Sequence, residues 1–203
     1  MAQNTEERLL RKIGRSGDGW AFSQKDFSRL ATRGAIDIAL HRLLAQGAIR
    51  RVTRGIYDCP RYSRLIGAPV SPDIDQVAGA FARKFGWRIQ PSGATAQNLL
   101  GLSTQVPASH VYLSDGPNRS YDINGTTLKF KHTPLKEAGF RYRESALIVQ
   151  ALKSFGPDLI TPAVVAKIRK WLAPELRNKV LSDTTTVTGW VYAAIREVCR
   201  EDD

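Results

Sequence analysis

Residues 34–60 read GAIDIALHRLLAQGAIRRVTRGIYDCP, and the change of period inside this run decides the fold. From Gly34 to Gln46 the apolar residues Ile36, Leu40, Leu43 and Leu44 recur at i, i+4, i+7 and i+8, one face of an amphipathic helix. Thr32 is placed to cap its start, and Gly47 to supply the left-handed residue that ends it. Arg33, Asp37, His41 and Arg42 lie off the apolar stripe. The pattern then switches. Ile49 to Thr53 is β-branched and basic, Arg54-Gly55 reads as a tight turn, Ile56-Tyr57 begins a second short strand, and Pro60 closes the unit. A basic helix face followed by an arginine-tipped hairpin is the layout of a winged helix-turn-helix, in which the helix enters a major groove and the wing reaches the backbone or the minor groove.

Helix, glycine and hairpin is also a common way to pack against protein, and fold alone does not imply function. The local charge favours an anionic partner. Arg33, Arg42, Arg50, Arg51, Arg54, Arg61 and Arg64 face only Asp37 and Asp58 between residues 30 and 65, and a DNA backbone attracts such a patch without reading its sequence. Working upstream, Asn4 with Glu7 resembles a capping box, and Leu9, Leu10 and Ile13 mark a first helix. Gly14, Gly17 and Gly19 break it. Trp20-Ala21-Phe22 reads as a short strand, and Ser23 opens a second helix with Asp26 in its first turn and Phe27, Leu30 and Ala31 inward. The order helix, strand, helix, helix, hairpin is that of a winged helix.

Downstream, residues 61–72 (RYSRLIGAPVSP) carry two prolines and read as a linker. Ile74, Val77, Ala78, Phe81 and Phe85 form a helical stripe ending at Gly86, and Trp87–Gln90 reads as a strand. Strands are expected at His110–Leu113, Arg119–Ile123 and Thr126–His132. Asn124-Gly125 between the last two is a strong hairpin signal. Helices fill the remainder: Ala146–Phe155, Pro162–Leu172, Pro174–Ser182 and Thr186–Arg200. The fold class is α+β: a winged helix-turn-helix over 1–62, then an α+β domain over 71–203 with a small antiparallel sheet and a helical cap.

The 203 residues are ample for a core, and apolar and charged shares of 42% and 24% are ordinary for a globular chain. The formal net charge is +11. Residues 1–70 hold 13 Lys/Arg against 6 Asp/Glu, and residues 71–203 hold 17 against 13. The first third therefore carries most of the excess and is the part suited to a polyanion. Cys59 and Cys199 are expected as reduced thiols of a cytoplasmic protein. No run of 18 apolar residues is present, and MAQNTEERLLRKIG has no signal-peptide character, so no membrane partner is expected.

No catalytic set emerges. His41, His110 and His132 have no metal-ligand spacing to each other or to the cysteines, and neither a Walker loop nor GxGxxG nor GxSxG occurs. Asp73 and Asp75 at a helix start are cap and dipole chemistry. Neither metal, cofactor nor catalytic residue is expected. The residues placed to meet DNA are Arg33, Ala35, Ile38, His41 and Arg42 on the helix, and Arg50, Arg51 and Arg54 on the hairpin.

Two stretches together resemble a known family. RLLAQGAIRRVTRGIYDCP (42–60) looks like the wing of the AbiEi-type antitoxins, and SGATAQNLLGLSTQVPASHVYLSDGPNRSYDINGTTLKFKHT (92–133) looks like the start of their second domain. The resemblance spans about residues 5 to 200, and the pairing of the wing with NLLGLSTQVP is its specific part. It implies an N-terminal winged helix that binds inverted repeats in its own promoter. It also implies a C-terminal domain that counters a nucleotidyltransferase-like toxin in a type IV toxin-antitoxin system linked to phage defence. The partners it implies are double-stranded operator DNA and that toxin. A stand-alone transcriptional regulator with a ligand-sensing or dimerising C-terminal domain, or an enzyme positioned on DNA by the winged helix, fits the residues as well. A toxin reading frame next to the gene discriminates among these.

Overall fold

The first helix, α1 (Thr5–Ser16), buries Leu9 and Ile13, one turn apart, and carries Glu6 and Glu7 in its first turn, where the helix dipole favours acids. In this computed structural model residues 5–103, 108–133 and 140–200 are described. The Asn4 cap and the last four residues of the stretch around NLLGLSTQVP lie outside them in part, at 4 and 104–107. The chain forms two compact units. One comprises the residues up to Trp87 with Ser120–Leu128; the other comprises Arg88–Arg119 with the residues from Lys129 onward. Mixed helices and small sheets make the molecule α and β throughout.

In the first unit α1 is followed by β1 (Ala21–Phe22), a single 3-10 turn at Gln24–Phe27, α2 (Arg33–Ala45), β2 (Arg50–Thr53) and β3 (Ile56–Asp58). The second helix expected from Ser23 is thus one turn long, and its hydrogen bonds say why. An α-helix would bring the Leu30 N–H to the Asp26 carbonyl. Instead Leu30 donates to the Phe27 carbonyl at 2.8 Å, and the Asp26 carbonyl accepts from the Lys12 ammonium. The Asp26 carboxylate meanwhile accepts from the Ser23 N–H at 2.8 Å and the Ser23 hydroxyl at 3.1 Å.

The stripe of α2 is buried as the periodicity predicts: Ile36, Ala39, Leu40 and Leu43 join Leu9, Ile13, Phe22, Phe27 and Ile49 in one core, with Leu44 packed at its edge. Thr32 stands at the N-cap with extended backbone, but its hydroxyl makes no capping bond. The C-terminus is a Schellman motif. Gly47 is left-handed (φ 70°), its N–H reaches Leu44 O, and Ala48 N–H reaches Leu43 O, both at 3.0 Å. β1, β3 and β2 form a three-stranded sheet in that order, with Ala21 and Arg50 flanking Asp58 from either side.

Residues 61–72 are not a plain linker. β4 (Tyr62–Ser63) and β5 (Ala68–Pro69) pair antiparallel, and the Tyr62 hydroxyl donates to Gly67 O at 2.5 Å across their loop. That loop leaves Leu65 98% exposed. Nor does the chain divide there. α3 (Ile74–Phe85), expected to open the second domain, belongs to the first unit, where it lies against β1, β3 and the 3-10 turn. The physical reason is its composition. Val77, Ala78, Ala80 and Phe81 make a buried face, and Arg83 at its end forms an ion pair with Asp26 at 2.6 Å and donates to Ala21 O at 2.6 Å. The expected boundaries at 62 and 71 give way to a division at Trp87. The Asp73 carboxylate caps α3, accepting from the Asp75 and Gln76 N–H groups at 2.9 and 3.2 Å.

In the second unit β6 (Ile89–Pro91) pairs antiparallel with β7 (Ser109–Ser114). The strand order continues through β9 (Thr126–His132) to β8 (Arg119–Ile123). Asn124 and Gly125 between β8 and β9 are both left-handed (φ 52° and 83°), as a type I′ turn requires. The far part of this hairpin, Ser120–Leu128, groups with the first unit, where Tyr121 stacks on Phe81 with ring centroids 4.0 Å apart.

α4 (Gly93–Leu99) lies against α5 (Arg143–Phe155), and a Cβ on Gly93 would come within 2.3 Å of the Ser154 Cβ, so that close approach needs glycine. α6 (Pro162–Trp171), α7 (Arg177–Asp183) and α8 (Gly189–Cys199) complete a helical core with Leu147, Ile148, Leu152, Ile168, Val180 and Ile195 buried. The Asp183 carboxylate, although burial works against its charge, is held below the usual carboxylate range because it accepts from the Arg141 and Tyr142 N–H groups at 2.9 and 3.0 Å. Both cysteines are free thiols, and burial pushes both upward, Cys199 to about 11.

Candidate nucleic-acid interface

The outer face of α2 follows from its own inner stripe. Because Ile36, Leu40 and Leu43 point into the core, Arg33, Asp37, Ile38, His41 and Arg42 are exposed. Ala35 is half-buried. Ile38, an apolar residue on a charged face, is 57% exposed. Of the sequence-predicted helix residues, four of five therefore stand in solvent on α2. Arg42 lies towards α1, where its guanidinium pairs with Glu6 at 2.9 Å while remaining 61% exposed. Such a surface pair contributes roughly 0–1 kcal/mol and does not hold the arginine against a stronger anion.

The hairpin separates its three arginines. A two-residue turn at Arg54-Gly55 with regular pairing would set Arg51 opposite Asp58. The register instead shifts between Arg51 and Thr53, so that Arg51 faces Tyr57 and Arg50 faces Asp58. A one-residue slip moves a side chain to the opposite face of the sheet. Arg51 and Arg54 are exposed. Arg50, expected at the interface, is turned inward: its Nε and Nη2 clasp the Asp58 carboxylate at 3.0 and 2.6 Å, and Nη2 also donates to Val70 O at 3.1 Å. The Asp58 side chain is 2% exposed. Arg50 thereby ties β2 to β3 and to Val70, just after β5.

Contacts made by Lys84 and Lys25 near the hairpin tip were not legible from residues 34–60. Gly55 is left-handed (φ 74°), and a Cβ there would come within 2.6 Å of the Lys84 ammonium. That ammonium donates to the Arg54 and Gly55 carbonyls at 3.3 and 3.5 Å and lies 5.3 Å from the centre of the Phe85 ring. Burial and the charge of Arg54 lower its pKa. Lys25 on the 3-10 turn donates to the Lys84 carbonyl at 3.3 Å. Lys25 also lines an open groove with Ser28, Thr32 and Arg33, at whose side Gln24 donates to Arg33 O at 3.1 Å. In sequence these lysines look like the ordinary polar faces of two helices, and nothing in their spacing announces contact with the β2–β3 hairpin.

Among the described residues no group of three or more His, Cys, Asp or Glu side chains is placed to hold a metal ion. No helix among them is long and apolar enough to cross a membrane.

A model of a protein family described as a family of unknown function, DUF6088, matches residues 8–180. The chain belongs to that family. No curated protein matches it. Among solved structures, it is similar to the RV2827C protein from Mycobacterium tuberculosis at 14% identity and a TM-score of 0.41, over 98% of this chain and 77% of that one.

Proposed function

We propose that this protein is a DNA-binding autorepressor and antitoxin whose first unit is a winged helix-turn-helix. On this reading α2 is the recognition helix, the β2–β3 hairpin is the wing, and the partner is double-stranded DNA carrying an inverted repeat. The observation that carries the DNA reading is the outward face of α2, with Arg33, Ile38, His41 and Arg42 exposed, together with Arg51 and Arg54 exposed on a hairpin of the same unit. Arg33 and Arg42 have the fork that matches a guanine edge, and Ile38 offers an apolar contact for a thymine methyl. Arg51 and Arg54 carry charge without sequence information. The antitoxin half rests on the resemblance of residues 42–60 and 92–133. It requires an adjoining nucleotidyltransferase-like reading frame whose growth arrest is relieved by the full chain, and an arrest that the full chain leaves untouched removes it.

The wing arginines test the DNA reading. Replacing Arg51 and Arg54 by Ala is expected to weaken binding to every duplex alike, on the order of tenfold per arginine, since a charge-assisted hydrogen bond contributes roughly 1.5–3 kcal/mol. The salt dependence should become shallower by about 0.9 in log–log slope for each phosphate that is no longer neutralised. Gel shifts at several salt concentrations measure both, and a double variant that binds as the wild type does excludes the hairpin as a wing.

A further inference from the structure

Between the start of α2 and the turn of the β2–β3 hairpin the structure sets a row of four cations drawn from separate segments: Arg33, Lys25, Lys84 and Arg54. Arg33 and Lys25 line one open groove. The Lys25 ammonium rests on the Lys84 carbonyl, and the Lys84 ammonium rests on the carbonyls of Arg54 and Gly55. Contacts therefore run from Lys25 through Lys84 to the hairpin tip, and Arg33 shares the groove that Lys25 lines. Ion pairs among the described residues join Arg42 to Glu6, Arg50 to Asp58, Arg83 to Asp26, and Arg88 to Asp115. No carboxylate in these pairs offsets any of the four cations in the row.

Each ammonium has three donors. Lys25 uses one of them and Lys84 two in these carbonyl contacts, so both retain a donor for an incoming oxygen. Arg33 and Arg54 are exposed, as is Lys25. The groove beside them also holds Thr32, whose hydroxyl makes no capping bond. Burial first, and then the Arg54 charge, act against the Lys84 proton, and a phosphate beside the ammonium would offset that second, repulsive part.

We propose that Lys25 and Lys84 contact DNA phosphates and carry the backbone from the recognition helix to the wing. The DNA-binding surface then includes the 3-10 turn and reaches α3, which lies beyond the 1–62 segment that the sequence marks out. This inference rests on the DNA reading proposed above and extends it to two residues outside the helix and hairpin.

Anisotropy titrations of the full-length protein on a mixed-sequence duplex of about 30 base pairs, roughly three helical turns, test it across a salt series. Lys25→Gln and Lys84→Gln are each expected to reduce the slope of log K against log salt by about 0.9, and the double variant by about 1.8. The reduction should be the same on a second, unrelated duplex. Gln retains a donor for the carbonyls, and thermal melting of each variant reports whether the fold is kept. Lys84→Arg keeps the charge and should keep the slope, which separates phosphate contact from mere support of the turn. A wild-type slope in the folded double variant, or a slope reduced in Lys84→Arg as fully as in Lys84→Gln, overturns the proposal while leaving the DNA reading intact. A wild-type chain that does not bind the duplex overturns both.

Discussion

Arg50→Ala is expected to destabilise the first unit by about 4 kcal/mol, within the roughly 3–5 kcal/mol that follows removal of one partner from a buried ion pair. The Asp58 carboxylate is 2% exposed, and its hydrogen-bond partner on β2 is Arg50, through two donors. Truncation strands that charge out of water and also frees the Val70 carbonyl. The loss is a large share of the roughly 5–15 kcal/mol that holds a domain together. Denaturant unfolding, with amide exchange in α2 and β3 to identify the unit, measures it. Arg50→Ala with Asp58→Ala should recover much of the loss, because no orphan charge remains. A single variant of unchanged stability whose DNA affinity nonetheless falls would return Arg50 to the interface.

Phe81→Ala is the second large effect, expected at about 3–5 kcal/mol from the burial removed and the cavity left behind. Phe81 is 1% exposed and stacks on Tyr121 at 4.0 Å and on Phe85 at 6.1 Å. It holds α3 and the Ser120–Leu128 segment in the first unit. The variant should lose amide protection in α3 and around Tyr121 first. A change below about 1 kcal/mol, as for most surface substitutions, would mean that α3 is a detachable appendage and that the division at Trp87 has no energetic meaning.

What the sequence made legible is what rests on local period and local turn chemistry. The α2 stripe is legible because Ile36, Leu40 and Leu43 repeat at helical spacing, and all three are buried. Gly47 and the Asn124-Gly125 turn are legible because only certain residues adopt a positive φ at low cost, and all three do so here. The helices α5, α6 and α8 follow from local period, with a first-turn proline at Pro162, whereas the helix expected from Pro174 begins as a 3-10 turn at Pro174–Leu176 and becomes α-helical only at Arg177.

The remainder depends on partners distant in sequence. The register shift between Arg51 and Thr53 decides which arginine faces water, and no propensity of Val52 announces it. In the shortened second helix the Asp26 carbonyl meets Lys12, and Leu30 turns to the Phe27 carbonyl. The domain boundary depends on Arg83 reaching Asp26 and Ala21, 57 and 62 residues away. The prolines within 61–72 read as a linker, whereas Pro69 sits in a two-residue edge strand, a place that tolerates proline.

If α2 reads DNA with the side chains that its apolar stripe leaves outside, its outward arginines must set the base preference. Binding selection on randomised duplex DNA, with the wild type beside Arg33→Ala and Arg42→Ala, measures that preference. The predicted result is a site with dyad symmetry, its half-sites about one or two helical turns apart, in which each variant relaxes preference at defined positions that appear twice. Removing one bidentate arginine–guanine pair should relax discrimination by roughly 1–3 kcal/mol. An unchanged preference in both variants, or a single asymmetric site, would contradict a reading role for α2.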